Sequence, residues 1–201
     1  MPARTPLLIA TRNIHKTEEI AAMLGERYEV KDLKSFPEAP EIEETGETFL
    51  ENSRLKAVGI SEVFDGLVLA DDSGLEVDAL NGDPGVHSAR YAGAHGDDAG
   101  NNAKLLRELA GVADSERTAR FRCTMVLAKQ GEVLANFSGA VEGRIRDEEE
   151  GEGGFGYDPL FIPEGHEASF ASLPAEVKNG MSHRARALEQ VVGWLEQRRK
   201  R

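Results

Sequence analysis

The sequence predicts a mixed α/β protein, on three observations. Two short, wholly apolar runs, residues 6–10 (PLLIA) and 67–70 (LVLA), have the pattern of strands buried on both faces of a sheet. Stretches with apolar residues at helical spacing follow them, opened by capping side chains and closed by glycines. Two longer stretches, 120–128 and 132–145, read as strands, the first alternating apolar and polar residues, with Lys129-Gln130-Gly131 as the turn of a hairpin. With no internal repeat and no Pro/Ser-rich linker, the 201 residues are expected to form one continuous domain.

In chain order, the strand at 6–10 runs through Thr11-Arg12-Asn13 into a helix ending near Leu24, with Gly25 as its stop. A second strand is expected around 28–33. Thr48 and Glu51 form a capping-box pair, so a helix is expected to begin there and to run to about Phe64, with Leu50, Leu55, Val58 and Ile60 partly on one face. The LVLA strand is expected to stop at Asp71-Asp72-Ser73-Gly74, which reads as a loop. Leu105, Leu106 and Leu109 make an apolar stripe on a helix over 101–110, stopped at Gly111. Phe121, Cys123, Met125 and Leu127 share one face of the next strand. The last helix is expected from about His183, with Leu188, Val191, Val192 and Leu195 spaced for packing and Ser182 as its N-cap.

The net charge of −12 argues against a general nucleic-acid binder, which needs a basic surface to displace counterions. A few local cations can still hold a polyphosphate. One cysteine forms no internal disulfide, and no CxxC pair offers a zinc site. The early apolar run is too short for a signal peptide or a membrane span, so a soluble cytoplasmic protein is expected, with no membrane partner.

Four segments carry candidate chemistry. Thr11, Asn13 and Lys16 stand where a strand meets a helix start, a place that attracts anions through backbone amides, hydroxyls and an ammonium. Asn13 as a plain helix cap is the simpler alternative there. Asp71 and Asp72 follow a buried strand; adjacent carboxylates suit a hard cation such as Mg²⁺, and one of them can also draw a proton from water. A simple Asp/Ser/Gly turn is the alternative, and Glu44 is a further acidic candidate. Phe155 stands among four glycines in GEGGFGYDP, where a flat base can stack on its ring. A glycine hinge with Phe155 and Tyr157 in the core is the alternative. Lys178, His183 and Arg184 bring cations and fresh helical amides to the start of the last helix.

Taken together, LLIATRNIHK, EETGETFLENSRLKA, ADDSGLEVDALNGDPGVHSARYAG, GGFGYDPLF and EVKNGMSHRARAL resemble, in order, the blocks of the inosine triphosphate pyrophosphatase-like family. The resemblance implies hydrolysis of ITP, dITP and XTP to the monophosphate and pyrophosphate with Mg²⁺. It also implies an elongated α/β fold with a long mixed sheet, two lobes around a cleft, and a homodimer. By that resemblance Thr11, Asn13 and Lys16 bind phosphate, and Asp72 is proton acceptor and metal ligand. Glu44 is a second metal ligand, and Ser73 contacts substrate. Phe155, Gly156, Tyr157 and Asp158 form the base-stacking loop, and Lys178, His183 and Arg184 supply the remaining nucleotide contacts. Arg12 departs from the family, which usually has Gly there. A sensor that binds the triphosphate without cleaving it is the competing class. The Asp71-Asp72 pair weighs against it, because carboxylates do not help an anion binder unless they carry metal.

Overall fold

The computed structural model describes residues 5–25 and 28–199. A six-stranded mixed sheet has the order β2-β1-β3-β4-β5-β6. Strand β1 (Thr5–Ile9) pairs in parallel with β2 (Tyr28–Asp32), with Leu7 opposite Val30, and with β3 (Leu67–Val77), with Leu8 opposite Val68. Strand β4 (Thr118–Lys129) turns at Gln130 and Gly131, both at positive φ, into β5 (Glu132–Ile145). The short β6 (Phe161–Pro163) runs antiparallel to β5.

Among the described residues five α-helices accompany the sheet: α1 (Ile14–Leu24), α2 (Phe49–Ser61), α3 (Asp98–Glu108), α4 (Ala175–Met181) and α5 (His183–Arg199). Gly25 ends α1 at φ 65°, and the capping box of Thr48 and Glu51 opens α2, both as the sequence predicts. The buried face of α2 is not the expected one. Leu50 and Leu55 are exposed, while Phe49, Asn52, Ser53, Ala57 and Ile60 are buried, because the helix turns a polar stripe inward toward charged partners. It also ends at Ser61 rather than near Phe64.

Contacts divide the chain into two compact units. The first comprises 1–72, 123–139 and 184–201; the second, 73–122 and 140–183. The boundaries fall inside β3, β4 and β5 rather than in linkers, so no change of composition marks them. Two apolar clusters pack the first unit, one around Leu7, Ile9, Leu69, Met125 and Val191, the other around Leu8, Val68, Ile60 and Val126. One cluster packs the second, around Leu75, Leu105, Phe121, Tyr157, Phe161 and Phe170. Cys123 lies fully inside the first unit, where burial pushes its thiol up to about 12, so it is inert packing. Among the described residues no helix is long and apolar enough to cross a membrane.

Candidate active site

In the first unit, charges gather on β3, α1, α2 and the start of α5. Asp71 and Asp72 do not sit in a loop after β3, as expected, but within it. A strand interior accepts two carboxylates only if cations meet them, and here they do. Asp71 Oδ2 lies 3.1 Å from Lys16 Nζ and 3.2 Å from Arg184 Nη2. Arg184, 1% exposed, also bonds Glu19 Oε2 at 2.5 Å. Burial pushes the Asp71 carboxyl up, but Lys16, Arg184 and Lys56 outweigh it and hold it well below the usual carboxylate range.

Asp72 is in a different state. Its Oδ2 accepts from Asn52 Nδ2 at 3.2 Å, and its Oδ1 lies 3.7 Å from Lys56 Nζ. Burial raises its pKa, Lys56 and Lys16 oppose that without cancelling it, and Glu44 adds to the rise. A carboxylate moved toward neutrality is a better proton acceptor than an ordinary one. Lys56 also bonds Glu44 Oε1 at 3.1 Å and donates to the Asp71 carbonyl at 2.8 Å. Burial works against its charge, but Asp72, Glu44 and Asp71 prevail, so it stays an ammonium.

Glu44 and Asp72 thus converge on one cation. Among the described residues no three His, Cys, Asp or Glu side chains gather into a closed metal cage. Two carboxylates at one place are a donor set that a hard divalent cation accepts, the rest of its shell being filled by water or phosphate oxygens.

At the head of α1, Asn13 is the N-cap: its Oδ1 accepts from the amides of His15 at 3.0 Å and Lys16 at 3.4 Å. Those two amides, expected as anion donors, are therefore already engaged. Thr11 Oγ1 accepts from the Asn13 amide at 3.1 Å, and Arg12 Nη2 reaches the Ala39 carbonyl at 3.3 Å.

In the second unit, the loop carrying Phe155 is held by hydrogen bonds rather than by packing alone. Asp158 Oδ2 accepts from the Phe155 amide at 2.9 Å and from Lys178 Nζ at 2.6 Å. Gly154 sits at φ 72°, and a Cβ there would collide with that same carboxylate. Phe155 is half-buried, with the Lys178 ammonium 5.1 Å from its ring centre. Tyr157 is buried in the core, its hydroxyl donating to the Ser88 carbonyl at 2.8 Å. Lys178 lies on α4, a helix the sequence reading did not foresee. Ser182 joins it to α5 in the extended conformation of an N-cap, and the buried His183 ring stacks on Phe121 with centres 4.9 Å apart. Ser73 is half-buried within β3, at the edge of this unit.

Sequence reasoning missed Lys56, Asn52 and Glu19. A signal was present for each. Asn52 and Lys56 are four apart on α2 and so share a face, and Glu19 stands one turn after Lys16 on α1.

The model of the Ham1 family matches residues 7–194. A dITP/XTP pyrophosphatase of Geobacter sulfurreducens is 51% identical over 195 residues, covering 94% of this chain and 98% of that protein. One from Halalkalibacterium halodurans is 48% identical, covering 94% and 98%. Among solved structures, the Staphylococcus aureus Ham1 protein superposes with a TM-score of 0.85 at 37% identity, covering 96% of this chain and 100% of that one. The resemblance carried by the five sequence blocks is borne out along nearly the whole length, and the chain belongs to the Ham1 family.

Proposed function

We propose that this protein is a Mg²⁺-dependent pyrophosphatase of non-standard purine nucleoside triphosphates, converting ITP, dITP and XTP to the monophosphate and pyrophosphate. The names of its relatives support the reaction class. The observation that carries the reading is the buried cluster of Lys16, Lys56 and Arg184 interleaved with Glu19, Glu44, Asp71 and Asp72.

Lys16 and Lys56 supply positive charge to the triphosphate, with Thr11 and Asn13 as polar contacts beside Lys16. Arg184 and Asp71 hold one another and fix Lys16. Asp72 takes the proton of the attacking water at a carboxylate oxygen while Asn52 holds its orientation. Glu44 and Asp72 would hold Mg²⁺, which would supply neutralisation of phosphate charge. In the other unit Phe155 stacks on the base, and Gly156, Tyr157, Asp158 and Lys178 build the loop that presents it. Ser73 contacts substrate, and the first amides of α5, at His183 and Arg184, read the purine 6-carbonyl. The two compact units are read as parts of one catalytic domain, acting as a cytoplasmic homodimer on free nucleotide.

Adenine carries an amino group where inosine carries that carbonyl, and it would leave buried amides unpaired at roughly 1–3 kcal/mol each. A panel of triphosphates with Mg²⁺ and a pyrophosphate readout tests the proposal. We expect kcat/KM for ITP to exceed that for ATP by more than tenfold, about 1.4 kcal/mol or more. Equal turnover of both, or release of orthophosphate instead, contradicts it.

A further inference from the structure

Both backbone polar groups of Gly156 are taken by one helix. The Gly156 amide donates to Asp98 Oδ2 at 2.7 Å, and its carbonyl accepts from Asn102 Nδ2 at 3.1 Å. Asp98 and Asn102 are four residues apart on α3, so they project from the same face one turn apart. The residue they hold is at φ 63° and adjoins Phe155. Holding the amide and the carbonyl of one residue together fixes its orientation, and with it the direction in which the Phe155 ring leaves the backbone.

Stability does not explain the choice of Asn102. Its side chain is buried to 3% exposure, and among the described residues its Oδ1 has no hydrogen-bond partner. An unsatisfied buried oxygen is a cost that an apolar residue would avoid. The next residue back, Asn101, ties a different loop: its Oδ1 accepts from the Ala92 amide at 2.7 Å. Two neighbouring asparagines on α3 therefore hold two separate loops, and Asn102 bears on the one with Phe155.

We infer that Asp98 and Asn102 are positioning residues, a two-point clamp that sets the Phe155 ring for stacking on the nucleotide base. The inference rests on the reading of residues 155–158 as the base-stacking loop. Neither residue touches the phosphates or the reacting atoms in this account. Loosening the clamp should weaken nucleotide binding and leave the chemical step alone.

The test is steady-state kinetics with ITP on the purified protein, for Asp98→Ala, Asp98→Asn, Asn102→Ala, Phe155→Ala and the double variant Asp98→Ala/Phe155→Ala. Asp98 is exposed, so its variants are expected to fold even if Asn102→Ala does not. For Asp98→Ala we expect KM to rise roughly three- to tenfold, the scale of one hydrogen bond, with kcat within about twofold. Asp98→Asn keeps an acceptor oxygen and should restore a near wild-type KM. In the Phe155→Ala background the Asp98→Ala change should add less than about twofold, because the ring it positions is gone. An unchanged KM in Asp98→Ala, a fall in kcat alone, no rescue by Asp98→Asn, or a full additional rise on top of Phe155→Ala overturns the clamp. If Phe155→Ala itself leaves KM unchanged, the base-loop reading fails and takes the clamp with it. If only the Asp98 and Asn102 variants are silent, the clamp fails alone.

Discussion

In the first unit the candidate site is made of side chains on regular elements, and opposite charge holds them: Lys16 on α1, Lys56 on α2, Asp71 and Asp72 on β3, Arg184 on α5. In the second unit the site is a glycine-bearing loop, and hydrogen bonds to its backbone hold it, at Phe155 by Asp158 and at Gly156 by Asp98 and Asn102. A buried ion cluster is cooperative: each carboxylate is tolerable because its cations are there, and removing one member strands the others. A backbone clamp is graded, since losing one hydrogen bond loosens the loop without unfolding its surroundings. Substitutions in the first unit should therefore cost turnover and stability together, and those in the second should mainly cost affinity.

The largest effect is expected at Asp72. Asp72→Asn keeps the hydrogen-bonding shape and removes the base, so kcat should fall roughly 10²–10⁴-fold. Retention of a third or more of wild-type kcat at saturating Mg²⁺ would remove Asp72 from the mechanism.

Lys56→Met probes cooperativity most sharply, because it leaves Glu44 and Asp72 facing each other without their ammonium. Breaking a buried pair costs about 3–5 kcal/mol, and Glu44, whose side chain is 30% exposed, places this one at the lower end. Urea unfolding should show that loss, partly recovered when Mg²⁺ is added; an unchanged midpoint would mean that the cluster is not cooperative.

In the second unit, Phe155→Ala should raise KM by the worth of one stacked base, about 1–3 kcal/mol, with little change in melting temperature. A large drop in melting temperature at constant KM would return Phe155 to the core.

The smallest effect is a pH slope. The Asp71 carboxyl is held below its unfolded value of about 3.9, so the unfolded chain takes up its proton first as the medium is acidified. The stabilisation it contributes is complete at neutral pH and is lost from about pH 4 downward, at no more than about 1.4 kcal/mol per pH unit. Urea midpoints between neutrality and pH 3 measure this slope, and Asp71→Asn should flatten it.

How much of this was legible in the sequence depended on the range of the interaction. The Thr48–Glu51 capping box, the stop at Gly25 and the turn at Gln130-Gly131 are local, and the sequence displays them directly. The alternation of Phe121, Cys123, Met125 and Leu127 placed β4 for the same reason. The continuation of β3 through Asp71 and Asp72 was not legible, because what makes carboxylates acceptable there is Arg184, 113 residues away. Helix α4 was missed because it is only seven residues long and includes Gly180. The inward polar face of α2 was hidden by Leu50 and Leu55, which look like core residues until Asn52 is seen to meet Asp72 and Lys56 to meet Glu44. The site residues of the second unit stood out through glycine spacing, but their support from α3 did not, since Asp98 and Asn102 lie more than fifty residues from the loop they hold.

In the proposed reaction, water whose proton passes to Asp72 attacks the α-phosphorus of the triphosphate, and pyrophosphate leaves. Hydrolysis of ITP in heavy-oxygen water, with the products separated and weighed by mass spectrometry, tests it most directly. The account predicts the label in inosine monophosphate and none in pyrophosphate; label in the pyrophosphate would place the attack on the β-phosphorus and contradict it.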